Sequence, residues 1–344
     1  KCHESMELRT VLRSFLDILS CPGCRADRPF NLEVVAEEGS DVISGVLNCR
    51  VCAAEFQIAN GIPQFVSTAE DYCHNFGFQW QKWKNIQIDR LSGHRLSETR
   101  FFNDTHWEPA WLRDKLVLDA GCGAGRFADV AALHGARVVA CDISTAVDAC
   151  RNVLLTHGER VECVQASLYD MPFRYGVFDA VFCMGVIQHT PEPEKVIAGL
   201  PTYVRPGGRV AYNFYEEGFW RRLQVIKYGL RLITPHLPIG VNLALSKALV
   251  VIFFNFTRAL SGIRRIRVLN HFVPIAAFHD PELTRDQQYT WTLLDTFDWY
   301  GPRYEKRQRH EQVKRVLKNI GLEDVESRPG LAWAGVPETP SGLS

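Results

Sequence analysis

Between Asp114 and Ser144 the spacing of apolar positions changes twice. Leu116 to Asp119 form a short apolar run closed by an acid, a glycine-rich turn follows, Arg126 to about His134 space their apolar residues along one helical face, and Arg137 to Asp142 return to a short apolar run. This predicts strand, turn, helix and strand, a βαβ half-unit whose glycines lie where a strand's carboxyl end meets a helix N-terminus. Further segments follow in order: "VQASLYDMPF" (Val164 to Phe173), "GVFDAVFCMGVIQHTPEPEKVI" (Gly176 to Ile197) and "VRPGGRVAYNFY" (Val204 to Tyr215). Their spacing suits a third strand, a fourth, and a helix leading to a fifth. Upstream, "LNCRVCAAEFQIANGIPQFV" alternates apolar and polar residues as a short hairpin does. The last helix and two strands are expected in "HEQVKRVLKNIGLEDVESRPGLAWAGVP". The fold class is α/β, doubly wound.

Composition adds little bias. With 39 basic and 39 acidic residues the chain is neutral, so no global charge points to nucleic acid. The N-terminus lacks a charged n-region followed by an apolar run, and no apolar run reaches about 18 residues, so a cytoplasmic location is expected. Eleven cysteines in such a chain suggest thiols or metal ligands before disulfides.

Four of them are spaced for a metal. "CPGC" (Cys21 to Cys24) and "CRVC" (Cys49 to Cys52) stand 24 residues apart. Two such knuckles present four thiolates, Cys21, Cys24, Cys49 and Cys52, and four soft sulfurs select zinc in a closed, structural site. Together with "LDILSCPGC" the segment resembles the Trm112-type zinc ribbon, which in its family partners or precedes methyltransferase domains.

The glycine loop "DAGCGAGRF" is tested against three cofactors. It lacks the Gly-Lys-Ser/Thr ending of a nucleoside-triphosphate loop, and it is GxGxG, with Arg126 following, where a dinucleotide fingerprint is GxGxxG. Asp119 suits a cation such as the methionyl ammonium of S-adenosylmethionine better than a pyrophosphate. Asp142, ending the second strand, suits a ribose in either a nicotinamide or an S-adenosylmethionine site. Over Leu116 to Tyr215 the ordered motifs resemble the class I S-adenosylmethionine-dependent methyltransferases. That resemblance implies a Rossmann-like seven-stranded sheet whose last strand is antiparallel. It also implies contacts from Asp119, Gly121, Gly123 and Gly125 to the methionine part, from Asp142 to the ribose, from Ile143 to the adenine, and from Met184 and Gly185 around the sulfonium. Many relatives carry an aspartate where this chain has Ser167, leaving the backbone amides of Ser167 and Leu168 to read the ring edge. Cys122, inside the loop, reads as a small filler.

Methyl transfer to a hydroxyl or a protonated amine needs a proton acceptor, and His189 is the candidate, because an imidazole titrates near neutrality. The alternative is a histidine that caps its turn or orients Glu192. Met184, Gly185, Val186 and Ile187 replace the Asp/Asn-Pro-Pro-aromatic tetrad of exocyclic-amine enzymes, and no Pro-Cys nucleophile of cytosine C5 enzymes is present, which disfavours nucleic acid.

From Gly218 to His279 there is no acid but there are nine bases, interleaved with "LQVIKYGLRLI" and "LALSKALVVIFFNF". Basic amphipathic helices lie on anionic membranes or cover an anionic, partly apolar substrate. The alternative is a helical lid packed on the sheet. "LVVIFFNF" is too short to span a bilayer. After it, Tyr289, Asp295, Asp298 and Tyr300 are expected to line an acceptor pocket, or else form an aromatic packing loop.

The expected domains are 1–68, an N-terminal helix and zinc ribbon; 69–113, a linker with cofactor-covering helices that include Gln79, Trp80 and Trp83; 114–217, the cofactor core; 218–290, the helical insertion; and 291–344, the completion of the sheet. The reading favours a methyltransferase for a small-molecule or lipid-linked acceptor, on oxygen, with peripheral membrane contact open. RNA or protein methylation guided by the ribbon, and a binding module without turnover, are the alternatives.

Overall fold

The computed structural model describes residues 15–38, 41–66, 74–218, 224–263 and 267–338. The first unit is a four-stranded antiparallel sheet, β1 (Phe30–Glu38), β2 (Asp41–Cys49), β3 (Glu55–Ala59) and β4 (Ile62–Pro63), in that spatial order. It is fused to the rest of the molecule. The Phe65 amide donates to the Gln165 carbonyl at 2.7 Å, Arg25 pairs with Asp170, and Leu19, Phe30 and Leu47 share one apolar cluster with Val164, Met171 and Phe173.

Three helices lead onward: α1 (His74–Trp83), α2 (Asp89–Ser92) and α3 (Leu96–Thr105). Next come β5 (Leu116–Ala120), α4 (Arg126–Leu133), β6 (Arg137–Asp142), α5 (Ala146–Leu154), β7 (Val161–Gln165), β8 (Phe178–Met184), α6 (Pro193–Gly199) and β9 (Val204–Asn213). The second sheet has seven strands in the order β10-β11-β9-β8-β5-β6-β7. Its last two are β10 (Glu323–Arg328) and β11 (Leu331–Gly335), and β11 runs antiparallel to β9 as expected. Alternate residues of the central strands feed opposite faces: Val117, Val138 and Phe182 one cluster, Leu118, Val139 and Val181 the other. Burial on both faces is why these strands read as continuous apolar runs.

The order places β5 between β6 and β8, the switch point where successive connections leave toward opposite edges and open a crevice at the carboxyl ends. Asp119 pairs with Ala140 and with Phe182, so the glycine loop, Asp142 and Met184 emerge at one edge.

Between β9 and β10 lie α7 (Val225–Leu230), α8 (Ile239–Ser261), α9 (Arg285–Tyr300) and α10 (His310–Asn319). Two differences from expectation appear. The boundary expected at 290 falls inside α9, which a capping box of Thr284 and Gln287 starts in the preceding segment. Helix α8 extends the "LVVIFFNF" run to 23 residues, long and apolar enough to cross a membrane by length and composition. The bases of the insertion also divide. Lys227 and Arg231 turn inward onto Glu305, at 2.9 and 3.7 Å, while Lys247 and Arg258 stay exposed; Arg221, Arg222, Arg264 and Arg265 lie outside the described residues.

Candidate functional site

A cavity of about 890 Å³ lies over the carboxyl edge of the sheet. Its floor is the glycine loop. Gly121, at φ +89°, adopts the left-handed region and leaves no room for a side chain, since a Cβ there would meet Val186 at 2.5 Å. At Gly123 a Cβ would approach the Trp80 indole nitrogen to 2.9 Å, so α1 is laid directly on the loop. Phe78 and Trp83 hold α1 against Phe297 of α9, with ring centroids 5.9 and 5.7 Å apart, while Phe76, Gln79 and Trp80 line the cavity. Of the three residues expected to cover the cofactor, Trp83 therefore serves packing instead.

Most expected cofactor positions border this space: Gly121, Cys122, Gly123, Arg126, Asp142, Ile143, Leu168, Met184 and Gly185. Asp119, Gly125 and Ser167 are not among the lining residues. Asp119 sits just beneath, buried, and its Oδ2 has no hydrogen-bond partner among the described residues. Burial first, and the charge of Asp142 second, push its carboxyl well above the ordinary range. A cation placed against that oxygen would restore the charged form. Asp142 accepts from the Gly123 amide at 2.9 Å and from the Ser144 amide and hydroxyl at 2.8 and 2.7 Å, which fixes its rotamer toward the loop. Burial pushes the Cys122 thiol up to about 12, which suits a packing residue and not a nucleophile.

Another part of the lining is chemically different. His189, on a short 3₁₀ turn after β8, approaches the Tyr304 carbonyl through Nδ1 at 3.1 Å. A carbonyl only accepts, so Nδ1 carries the hydrogen and the neutral ring keeps an acceptor at Nε2. Nε2 lies 3.9 Å from Asp298 Oδ2, which also accepts from the Tyr215 hydroxyl at 3.2 Å. One turn earlier on α9, burial and then the charge of Asp298 raise the Asp295 carboxyl to about 7. Burial and the neighbouring Arg100 draw the Arg126 guanidinium down to about 9. Arg126 donates to the Ser97 hydroxyl at 2.9 Å and stacks on Phe127 and Trp291.

Two expected pocket residues are elsewhere. Tyr300 is buried and donates to the Pro274 carbonyl at 2.9 Å, and Tyr289 packs on Phe254. Neither borders the cavity. The segment is a helix and not a loop, and its 3.6-residue period puts Tyr289 and Tyr300, eleven apart, on one side and Asp295, Asp298 and Trp299 on another. Tyr215 and Arg100 were not legible as site residues. Tyr215 stands two positions past the end of β9, a signal that the register of the sheet makes plain only once the strand's end is located.

A family model described as a methyltransferase domain matches residues 118–212. The chain is 34% identical over 135 residues to the ubiquinone biosynthesis O-methyltransferase of Aromatoleum aromaticum, covering 39% of this chain and 57% of that one. Its counterpart in Chromobacterium violaceum is 33% identical over 167 residues, covering 47% and 69%. The chain belongs to the class I S-adenosylmethionine-dependent methyltransferases. It spans 57% of the length of the Aromatoleum relative, and the same share of the ubiquinone biosynthesis O-methyltransferase of Azotobacter vinelandii, to which it is 38% identical over 139 residues. Among solved structures, this methyltransferase aligns with magnesium protoporphyrin IX methyltransferase from Synechocystis with bound SAH at a TM-score of 0.43 and 17% identity, covering 78% of this chain and 98% of that one.

Proposed function

We propose that the protein transfers a methyl group from S-adenosylmethionine to an oxygen of a small-molecule or lipid-linked acceptor, with His189 as general base. The observation that carries the reading is the contact of His189 Nδ1 with the Tyr304 carbonyl, which leaves Nε2 as the proton acceptor of a side chain that lines the same cavity as the glycine loop. S-adenosylmethionine, when bound, supplies an electrophilic methyl on a sulfonium and leaves as a neutral thioether. Asp119 would hold its ammonium, Asp142 its ribose, Ile143 and Leu168 its adenine, and Met184 and Gly185 would flank the sulfur. The residues fit, because the orphaned, buried Asp119 oxygen calls for a cation. Nε2 takes the acceptor hydroxyl proton as the oxygen attacks, and Asp298 stabilises the imidazolium that forms. Helix α1 and the insertion line the cavity around the reacting groups, and positioning would supply much of the rate. The relatives, named as O-methyltransferases of ubiquinone biosynthesis, support oxygen as the methylated atom.

We propose further that the four ribbon cysteines hold a structural zinc. Cys21 and Cys52 sulfurs are 3.6 Å apart, and Cys24 and Cys49 sulfurs 3.7 Å, close to the edge of about 3.8 Å of a tetrahedron with metal–sulfur bonds of about 2.3 Å.

The test of the base is kinetic. His189→Ala should lower kcat about a hundredfold or more while leaving S-adenosylmethionine affinity nearly unchanged. Equal kcat in variant and parent returns His189 to a structural role.

A further inference from the structure

Helix α8 is apolar on both sides: Val250, Phe254 and Leu260 are buried against the rest of the molecule, and further apolar residues face outward. Asn242, Ser246 and Thr257 are buried, whereas Val251, Ile252 and Phe256 are 66%, 65% and 54% exposed. The rotation is pinned: the Asn242 amide donates to the carbonyls of Thr234 and Tyr300, each at 3.1 Å, and the Thr257 hydroxyl meets His279 Nε2 at 2.9 Å. A surface helix ordinarily turns charged and polar residues to water on the side away from its buried stripe. The segment after it continues the pattern. Val268, Asn270 and His271 form part of the cavity wall, while Leu269 and Phe272, with Ile263, are exposed.

We infer that the outer face of α8 and the following turn seats on an anionic phospholipid surface, lying in the plane of the interface beside the cavity. Charge selects that occupant. Lys247 and Arg258, eleven positions apart and so on one flank of the helix, border the apolar face, and no acid occurs from Gly218 to His279. Anionic headgroups match that flank, and apolar side chains enter the acyl boundary between them. A second copy of the chain docked face to face would set cation against cation. Spanning is disfavoured, because the buried Asn242 and Thr257 would leave their partners, the Tyr300 carbonyl on α9 and His279. Since Lys227 and Arg231 are spent on Glu305, the apolar contribution dominates and salt weakens binding only in part. Docking of this kind holds whatever the acceptor is, and it places the cavity wall next to any acceptor dissolved in the bilayer.

The experiment is sedimentation of the full chain with vesicles of phosphatidylglycerol and phosphatidylcholine, with vesicles of phosphatidylcholine alone, and without vesicles. The expected result is binding to the anionic vesicles, weaker binding to the neutral ones, and partial retention at high salt. Changing Val251, Ile252 and Phe256 together to Ser should weaken partition about tenfold or more, and Lys247→Glu should weaken it mainly at low salt. All four side chains are exposed and away from the cavity, so calorimetric S-adenosylmethionine binding checks that both variants are folded. A parent that stays in the supernatant with anionic vesicles overturns the inference. So does a dimer, measured by light scattering, that the triple substitution dissolves, since a second copy would then cover the face. Undiminished partition of the folded triple variant overturns it as well.

Discussion

At the scale of single residues, α9 contributes two carboxyls one turn apart with unlike surroundings. Asp298 has the Tyr215 hydroxyl and His189 as partners, whereas Asp295 is raised to about 7 by burial and by Asp298 itself. An acid with a raised folded pKa binds its proton more tightly in the native state, so the stability it contributes is fully present below its unfolded value of about 4. That contribution is lost as pH rises through about 7. Asp295→Asn removes the titration. Relative to the parent, the variant should gain about 1–3 kcal/mol between pH 5 and pH 8, measured by denaturant unfolding at each pH. Parallel pH profiles for the two proteins would show that Asp295 ionises normally. Individual residues were the part of the site least legible in the sequence. Aromatic density drew Tyr289 and Tyr300 into the expected pocket, and only the helical phase of α9 separates them from Asp295 and Asp298.

At the scale of elements, local pattern was sufficient where burial is two-sided. The strand expected at Arg137–Asp142 is observed with those bounds, and α4 ends at Leu133, one residue short of expectation. Both belong to a unit whose apolar period and glycine turn agree with its packing. What pattern did not carry is the convergence of distant elements. Helix α9 reaches the glycine loop across more than 150 residues of chain through Phe297, Phe78 and Trp83, contacts that no local period encodes. The ribbon is also an element with a larger part than its size suggests, because its core is continuous with the methyltransferase sheet. Cys49→Ser should therefore abolish bound zinc, measured by elemental analysis, and cost about 3 kcal/mol or more of stability. Freshly purified parent protein without zinc would count against the metal assignment.

At the scale of the whole molecule, three bodies meet over one crevice: the sheet with its glycine loop, helix α1 in front, and the insertion with α9 above. The arrangement separates tasks. The carboxyl ends of β5, β6 and β8 hold the residues suited to the methyl donor, and the last turn of α9 with His189 and Tyr215 forms the wall where an acceptor would lie. The most direct measurement is transfer of labelled methyl from S-adenosylmethionine into a cell extract, partitioned into lipid, small-molecule, RNA and protein fractions. The account predicts label in the lipid or small-molecule fraction, in an alkali-stable ether linkage, and its loss with His189→Ala. Label confined to RNA or protein, or tight S-adenosylmethionine binding with no transfer to any fraction, would contradict it.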